Sequence, residues 1–270
     1  MTSQKLIAEQ YRDSSNLDVR IGFHERFSIN KYPWMRWVFD HFEFPPSCYI
    51  LELGCGAGNL WVENSDRIRE DWEIVISDAS PGMLEKARQT VGKIGKRFIF
   101  TIVNAEDIPF PNQYFDAVIA DHMLYYPNLD RALPEIHRVL KRGGKLYATT
   151  NGTEHLKELD ELFIAFRGGN EPIAAVIQAF NLENGESLLK HHFNSITAER
   201  QENGLLVNDA AALAGFCLSV TTAEIPEERK HEFMEFAKRK MEASDGEMKI
   251  TKSAGMLIAT TCPSKLEGAF

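Results

Sequence analysis

Tyr49-Ile-Leu-Glu-Leu-Gly-Cys-Gly-Ala-Gly-Asn59 is the stretch that decides the fold of this chain. Ile50, Leu51 and Leu53 supply the apolar run of a central parallel strand. Gly54, Gly56 and Gly58 then let the backbone turn tightly where no Cβ intrudes. A ligand can approach such a turn closely, and the helix predicted to begin near Gly58 aims its unpaired N–H groups and positive dipole end at it.

The spacing narrows the ligand. A dinucleotide fingerprint needs Gly-x-Gly-x-x-Gly, but counting on from Gly54 and Gly56 the third position falls on Asn59. The pattern is instead Glu52-x-Gly54-x-Gly56-x-Gly58. Glu52 is expected at the strand tip, where its charge favours a cation such as an α-ammonium and repels a pyrophosphate. The next predicted strand, from Trp72, ends on Asp78 with Ala79 beside it, and a carboxylate there can accept both hydroxyls of a ribose. Amino acid plus ribose points to S-adenosyl-L-methionine.

At this point the sequence resembles the class I S-adenosylmethionine-dependent methyltransferases, in the broad group of ubiquinone/menaquinone-biosynthesis-type methylases. Five blocks carry the resemblance in order: Leu51-Glu-Leu-Gly-Cys-Gly-Ala-Gly58, Ser77-Asp-Ala-Ser-Pro-Gly-Met-Leu84, Asn104-Ala-Glu-Asp-Ile-Pro-Phe110, Phe115-Asp-Ala-Val-Ile-Ala-Asp-His122 and Arg138-Val-Leu-Lys-Arg-Gly-Gly-Lys145. The resemblance implies a Rossmann-like sheet of seven strands, mostly parallel with an antiparallel last strand, helices on both faces and a helical cap. It also implies that Met83 lies against the adenine ring, that Asn104 and the Ala105 N–H read the adenine edge, and that Asp121 meets the methionine end. The family usually has Asp where Asn104 stands. The amide oxygen still accepts, and Glu106 is the candidate for the missing negative acceptor.

Composition bounds the rest. The chain has 270 residues, 44% hydrophobic and 26% charged, with a formal net charge of −9. It shows no long apolar run and no cleavable signal, so a soluble cytoplasmic protein with no membrane insertion is expected. The acidic balance argues against a nucleic-acid partner, since that affinity comes largely from Lys and Arg. Cys48, Cys55, Cys217 and Cys262 are scattered without metal-ligand spacing and read as free thiols. Asp121 and Asn151 lack a third acidic ligand, so no metal is expected.

Four segments are expected: 1–44 as an N-terminal helical lid, 45–152 as the cofactor-binding core, 153–191 as a helical substrate cap, and 192–270 as the remainder of the core with strands six and seven. Strands are predicted near 48–53, 73–78, 97–103, 115–121, 144–150, 193–200 and 256–261. Ser80 and Pro81 mark a helix start, and Gly143-Gly144 is expected to stop the helix that begins near Asp130. In the lid, Trp34 and Trp37 read as core. By resemblance, Tyr11 and Arg20 match the aromatic or basic residue that an N-terminal helix brings to the methionine end. His24, Tyr125, Tyr126 and Asn151 are candidates for the acceptor side. His122 is the candidate general base, because imidazole titrates near neutral pH.

The expected activity is methyl transfer to a small-molecule acceptor. A nicotinamide oxidoreductase is disfavoured by Glu52 and Asn59. A nucleic-acid methyltransferase is disfavoured by the charge and by Asp121-His-Met-Leu124, which lacks an Asn/Asp-Pro-Pro-aromatic tetrad. A non-catalytic cofactor-binding protein stays open, because cofactor motifs report binding and not turnover.

Overall fold

The computed structural model describes residues 15–168, 175–219 and 225–263. Seven strands, β1 (Tyr49–Leu53), β2 (Glu73–Asp78), β3 (Phe98–Ile102), β4 (Phe115–Asp121), β5 (Leu140–Asn151), β6 (Ser195–Val207) and β7 (Met248–Thr260), form one sheet in the order β3-β2-β1-β4-β5-β7-β6. The first five pair in parallel, and β7 runs antiparallel to β5. This is the α/β sheet that the sequence predicts. Because β2 lies on one side of β1 and β4 on the other, the order reverses at β1, and ligands bind open sheets at the carboxyl edge of such a switch point.

Alternation along β1 assigns the two faces of the sheet. Ile50 packs with Ile74, Ile76, Ile119, Leu60 and Ala87 on one face. Leu51 and Leu53 pack with Val118, Ala120, Leu133 and Ile136 on the other, as a side-chain period of two requires. The helices are α1 (Ser15–Phe27), α2 (Trp34–Asp40), α3 (Asn59–Glu63), α4 (Pro81–Val91), α5 (Leu129–Val139), α6 (Lys157–Arg167), α7 (Gly185–Leu189), α8 (Ala210–Ser219) and α9 (Lys230–Glu242). α4 starts where the sequence places it. Ser80 Oγ accepts from the Met83 N–H at 3.4 Å, and Pro81 takes the first turn, where its missing donor costs nothing.

Gly143-Gly144 has a different role from the expected helix stop. α5 passes straight into β5 at Leu140, and the glycines lie inside the strand, where the register with β4 shifts between Phe115 paired with Leu140 and Ala117 paired with Lys145. Gly143 has φ 74, and a Cβ on Gly144 would stand 2.9 Å from the Lys141 carbonyl oxygen. The pair therefore accommodates a bulge. β6 and β7 are also longer than expected, beginning or ending well outside 193–200 and 256–261.

Cα proximity divides the chain into two units. One comprises Trp34–Gly152, Ala179–Arg200 and Ala254–Phe270; the other comprises Met1–Pro33, Thr153–Gln178 and Gln201–Ser253. This division does not follow the four consecutive segments of the sequence analysis, since Trp34 to Phe44 goes with the first unit and 201–253 with the second. The second unit has its own apolar core of Phe23, Phe27, Leu162, Phe163, Phe216 and Phe233. Phe163 and Phe233 stack there with centroids 5.1 Å apart. Glu158 ties α6 to β7 by accepting from the Thr251 N–H at 2.8 Å and from its hydroxyl at 2.7 Å. Among the described residues no helix is long and apolar enough to cross a membrane.

Candidate functional site

The glycine turn is built as its sequence requires. Gly54, Gly56 and Gly58 all have positive φ, at 70, 54 and 82. The turn is held by Cys55 N–H donating to the Ser77 carbonyl at 2.9 Å and by Gly58 N–H donating to the Cys55 carbonyl at 2.9 Å. A Cβ on Gly56 would meet no atom within 4 Å, so the space beside this turn is open. A Cβ on Gly54 would stand 2.9 Å from Met123 Cβ, and one on Gly58 would stand 2.4 Å from Val91 Cγ2. Gly56 thus faces room for a ligand, while Gly54 and Gly58 permit close packing.

Asp78 ends β2 directly beside this turn. Its Oδ2 accepts from the Gly56 N–H at 3.0 Å, and its Oδ1 accepts from the Ser80 N–H at 2.8 Å. Burial pushes its pKa above the ordinary carboxylate value, and the Ser80, Gly56 and Ala79 N–H groups oppose that rise. Each oxygen has a backbone donor and, as a carboxylate oxygen, further acceptor capacity for a hydroxyl. Ala79 is exposed next to it, and Met83 is buried in the first turn of α4.

Glu52 differs from expectation. The sequence places it at the strand tip as a charge ready for an α-ammonium, but it is 1% exposed, and its Oε2 accepts from the Trp61 indole Nε1 at 2.6 Å. Side-chain parity explains this, because Glu52 shares a face with Ile50, inside the layer that α3 covers. Burial raises its pKa to about 8, Trp61 opposes the rise, and Asp121 and Asp78 add to it. Trp61 was not among the predicted site residues. An aromatic N–H donor in the helix leaving the turn was the available signal.

After β3, Asn104 Oδ1 accepts from the Glu106 N–H at 3.0 Å, closing a tight turn with Ala105 buried inside it. The Glu106 carboxylate is already held. It accepts from the Asn128 N–H at 2.9 Å and lies 3.2 Å from the Arg131 guanidinium. At the end of β4, the Asp121 carboxylate accepts from the Thr149 hydroxyl, and the His122 N–H donates to Thr149 Oγ1 at 2.9 Å. Thr149 thus fixes the chain just where it leaves the sheet, another contribution the sequence analysis missed.

His122 has φ 49, a left-handed conformation uncommon outside glycine. Its ring lies 5.4 Å from Trp34, which stacks on Trp37 at 5.0 Å. Both tryptophans pack against the core layer, and Trp34 also borders His122. Tyr125 and Tyr126 meet edge to face at 4.6 Å, and the Asn151 carbonyl accepts from Leu182 N–H at 3.1 Å. Glu52, Gly54, Gly56, Asp78, Ala79, Met83, Asn104, Ala105, Glu106, Asp121, His122, Tyr125, Tyr126 and Asn151 all belong to the first unit.

Arg20 and His24 lie on α1 in the second unit, where the His24 ring is 6.1 Å from His155 and 5.6 Å from Phe216. Tyr11 lies outside the described residues. Among the described residues, no group of three His, Cys, Asp or Glu side chains is arranged to hold a metal ion. Cys48, Cys55 and Cys217 are buried free thiols, and Cys262 is exposed. Burial pushes the Cys48 thiol up to about 12.

The family described as a methyltransferase domain matches residues 50–144. Demethylmenaquinone methyltransferase of Symbiobacterium thermophilum is 34% identical over 142 residues, covering 52% of this chain and 53% of that protein. The ubiquinone/menaquinone biosynthesis C-methyltransferase UbiE of Vibrio cholerae is 31% identical over 134 residues, covering 48% and 51%. The chain therefore spans about half the length of the curated relatives it matches. Among solved structures, the YcgJ protein of Bacillus subtilis superposes with a TM-score of 0.58 at 15% identity, covering 85% of this chain and 98% of that one. Phosphoethanolamine N-methyltransferase 2 of Haemonchus contortus gives a TM-score of 0.59 at 16% identity, covering 97% and 60%, a likeness of fold. The glycine turn and the acid that ends β2 thus lie within the stretch, residues 50–144, that matches the methyltransferase domain family, and this part of the chain is similar to the ubiquinone/menaquinone-biosynthesis methyltransferases.

Proposed function

We propose that this chain transfers a methyl group from S-adenosylmethionine to a small-molecule acceptor by in-line displacement. The observation that carries the proposal is the open glycine turn tied to Asp78: the Gly56 N–H is held by the carboxylate, and the space beside Gly56 is clear to 4 Å. Asp78 would take the ribose hydroxyls, with Ala79 and Met83 beside the nucleotide. Asn104 and Ala105 would read the adenine edge. Asp121 would meet the methionine end, and Arg20 and Tyr11 are proposed for the same end. When bound, S-adenosylmethionine supplies an electrophilic methyl carbon on a sulfonium.

The chain's own part is to hold both reactants in line and to keep water out, and such placement accounts for many orders of magnitude in rate. His122 is the proposed base for an acceptor hydroxyl or acidic carbon, whereas a neutral amine would need none. Tyr125, Tyr126, Asn151 and His24 are proposed for the acceptor side. The curated relatives are named for quinone biosynthesis, which makes demethylated quinols the first acceptor class to test. A cytoplasmic location is part of the same proposal, and cell fractionation tests it.

The deciding experiment is calorimetric titration with S-adenosylmethionine and, separately, with reduced nicotinamide dinucleotide, followed by transfer of labelled methyl to a panel of quinols, phenols and amines. Binding of the first alone with label transfer supports the proposal. Binding without transfer to any acceptor favours a non-catalytic cofactor-binding protein, and binding of the nicotinamide alone overturns the proposal.

A further inference from the structure

Three acids share one face of the sheet on three neighbouring strands. Glu52 pairs in register with Ile76 of β2 and Ile119 of β4. Two residues further along those strands, with side-chain parity unchanged, come Asp78 and Asp121. Glu52 lies in the apolar layer of Ile50, Ile74, Ile76 and Ile119, and Trp61, itself fully buried, donates its indole N–H to the Glu52 carboxyl. Among the described residues, the charged groups acting on Glu52 are acidic: Asp78 from β2 and Asp121 from β4. α3 offers the neutral indole, and the turn offers the Cys55 thiol, which burial pushes up, with Glu52 and Asp78 adding to the rise. An ionised carboxyl enclosed beside two others is unfavourable without a cation.

We propose that Trp61 is a positioning residue for the Glu52 carboxyl, and that this pair makes uptake of the cationic cofactor release a proton to solvent. The proposal rests on the S-adenosylmethionine assignment above. Without cofactor, Glu52 keeps its proton, in line with a pKa raised to about 8 by burial. With cofactor, the α-ammonium and sulfonium replace that proton as counter-charge: the carboxyl O–H breaks, the proton passes to water, and the carboxylate stays in place. The Trp61 N–H donates more strongly to the carboxylate than to the acid, so it favours the ionised state and holds it in one orientation.

Titration of the full chain with S-adenosylmethionine near pH 7, in buffers of different ionisation enthalpy, counts the protons. Wild type is expected to release close to one proton more per bound cofactor than Glu52→Gln, whose count reports the cofactor's own amine. Trp61→Phe keeps the ring and loses the donor. It is expected to bind roughly tenfold more weakly, with affinity levelling off at a higher pH than in wild type. Thermal melts of the unliganded variants check folding, and if Trp61→Phe does not fold, the proton count of Glu52→Gln decides. Equal counts in wild type and Glu52→Gln overturn the proposal and leave the cofactor assignment standing, and an unchanged affinity and pH profile in Trp61→Phe overturns the role of Trp61. Absence of binding by wild type at any pH instead overturns the cofactor assignment, and the proposal with it.

Discussion

At Asp78, one carboxylate has two duties, because the oxygens proposed for the ribose also accept the Gly56 and Ser80 N–H groups that shape the turn. Asp78→Ala should therefore weaken S-adenosylmethionine binding at least roughly tenfold in calorimetry and lower stability by about 1–3 kcal/mol in denaturant melts, since the half-buried Gly56 and Ser80 N–H groups lose a charged acceptor. Asp78→Asn, which keeps an acceptor oxygen, should lose less on both counts. Glu52 affects stability in the opposite direction. Its ordinary value is 4.5, and the fold raises it to about 8. Between those values the native chain keeps a proton that the unfolded chain has lost, so this group makes stability fall as pH rises from 4.5 to about 8. Glu52→Gln should flatten that fall in the unliganded protein, by an amount on the order of a few kcal/mol at pH 8, measured as unfolding free energy across the interval. A variant whose stability declined with pH as steeply as wild type would contradict the assignment of the buried proton to Glu52.

Among the elements, the strand-turn-helix unit from β1 through α3 distinguishes glycines that the sequence treats alike. Gly58 packs against α4, where an added Cβ would collide with Val91, whereas Gly56 faces open space. Gly58→Ala should cost about 3 kcal/mol or more, from strain at positive φ plus the overlap, and Val91→Ala should recover part of it. Gly56→Ala carries only the backbone cost, roughly 1–2 kcal/mol, and its main effect should be on cofactor affinity. Melts and titrations of the two single variants and the Gly58/Val91 double variant separate these effects. Equal destabilisation by both single variants would mean that the packing of α3 against α4 is wrongly described. The Gly143-Gly144 pair teaches a related point. Glycines after an amphipathic helix fit a stop signal, yet here they sit in β5 beside its register shift with β4. A local pattern cannot distinguish a helix end from a bulge, because both ask only for a residue that tolerates unusual backbone angles.

For the molecule as a whole, the net charge of −9 predicts negligible affinity for nucleic acid. Fluorescence anisotropy with labelled duplex and single-stranded probes at physiological salt should show no saturable binding, and tight salt-sensitive binding would reopen the nucleic-acid alternative. The strands and turns of the cofactor domain were legible in advance because each is set by neighbours in sequence: apolar runs for β1, β2 and β4, and Ser80-Pro81 for the start of α4. The division of the remainder was not legible. Each unit is assembled from three separate stretches of chain, and nothing in the composition of 201–253 announces that it groups with residues 1–33 and 153–178 rather than with the glycine turn.

By itself, the sequence determined the α/β class, the positive-φ turn and the placing of Asp78 beside it, because strand parity and glycine geometry are local properties of the backbone. It also contained the parity that puts Glu52 with Ile50. Only the tertiary structure decided that this face is closed by Trp61 and flanked by Ile76 and Ile119, which turns an acid expected to be charged at the strand tip into a buried carboxyl with a raised pKa. The physical reason is that ionisation depends on the water and charges surrounding a group in space, and those neighbours come from strands and helices that the local sequence does not contain.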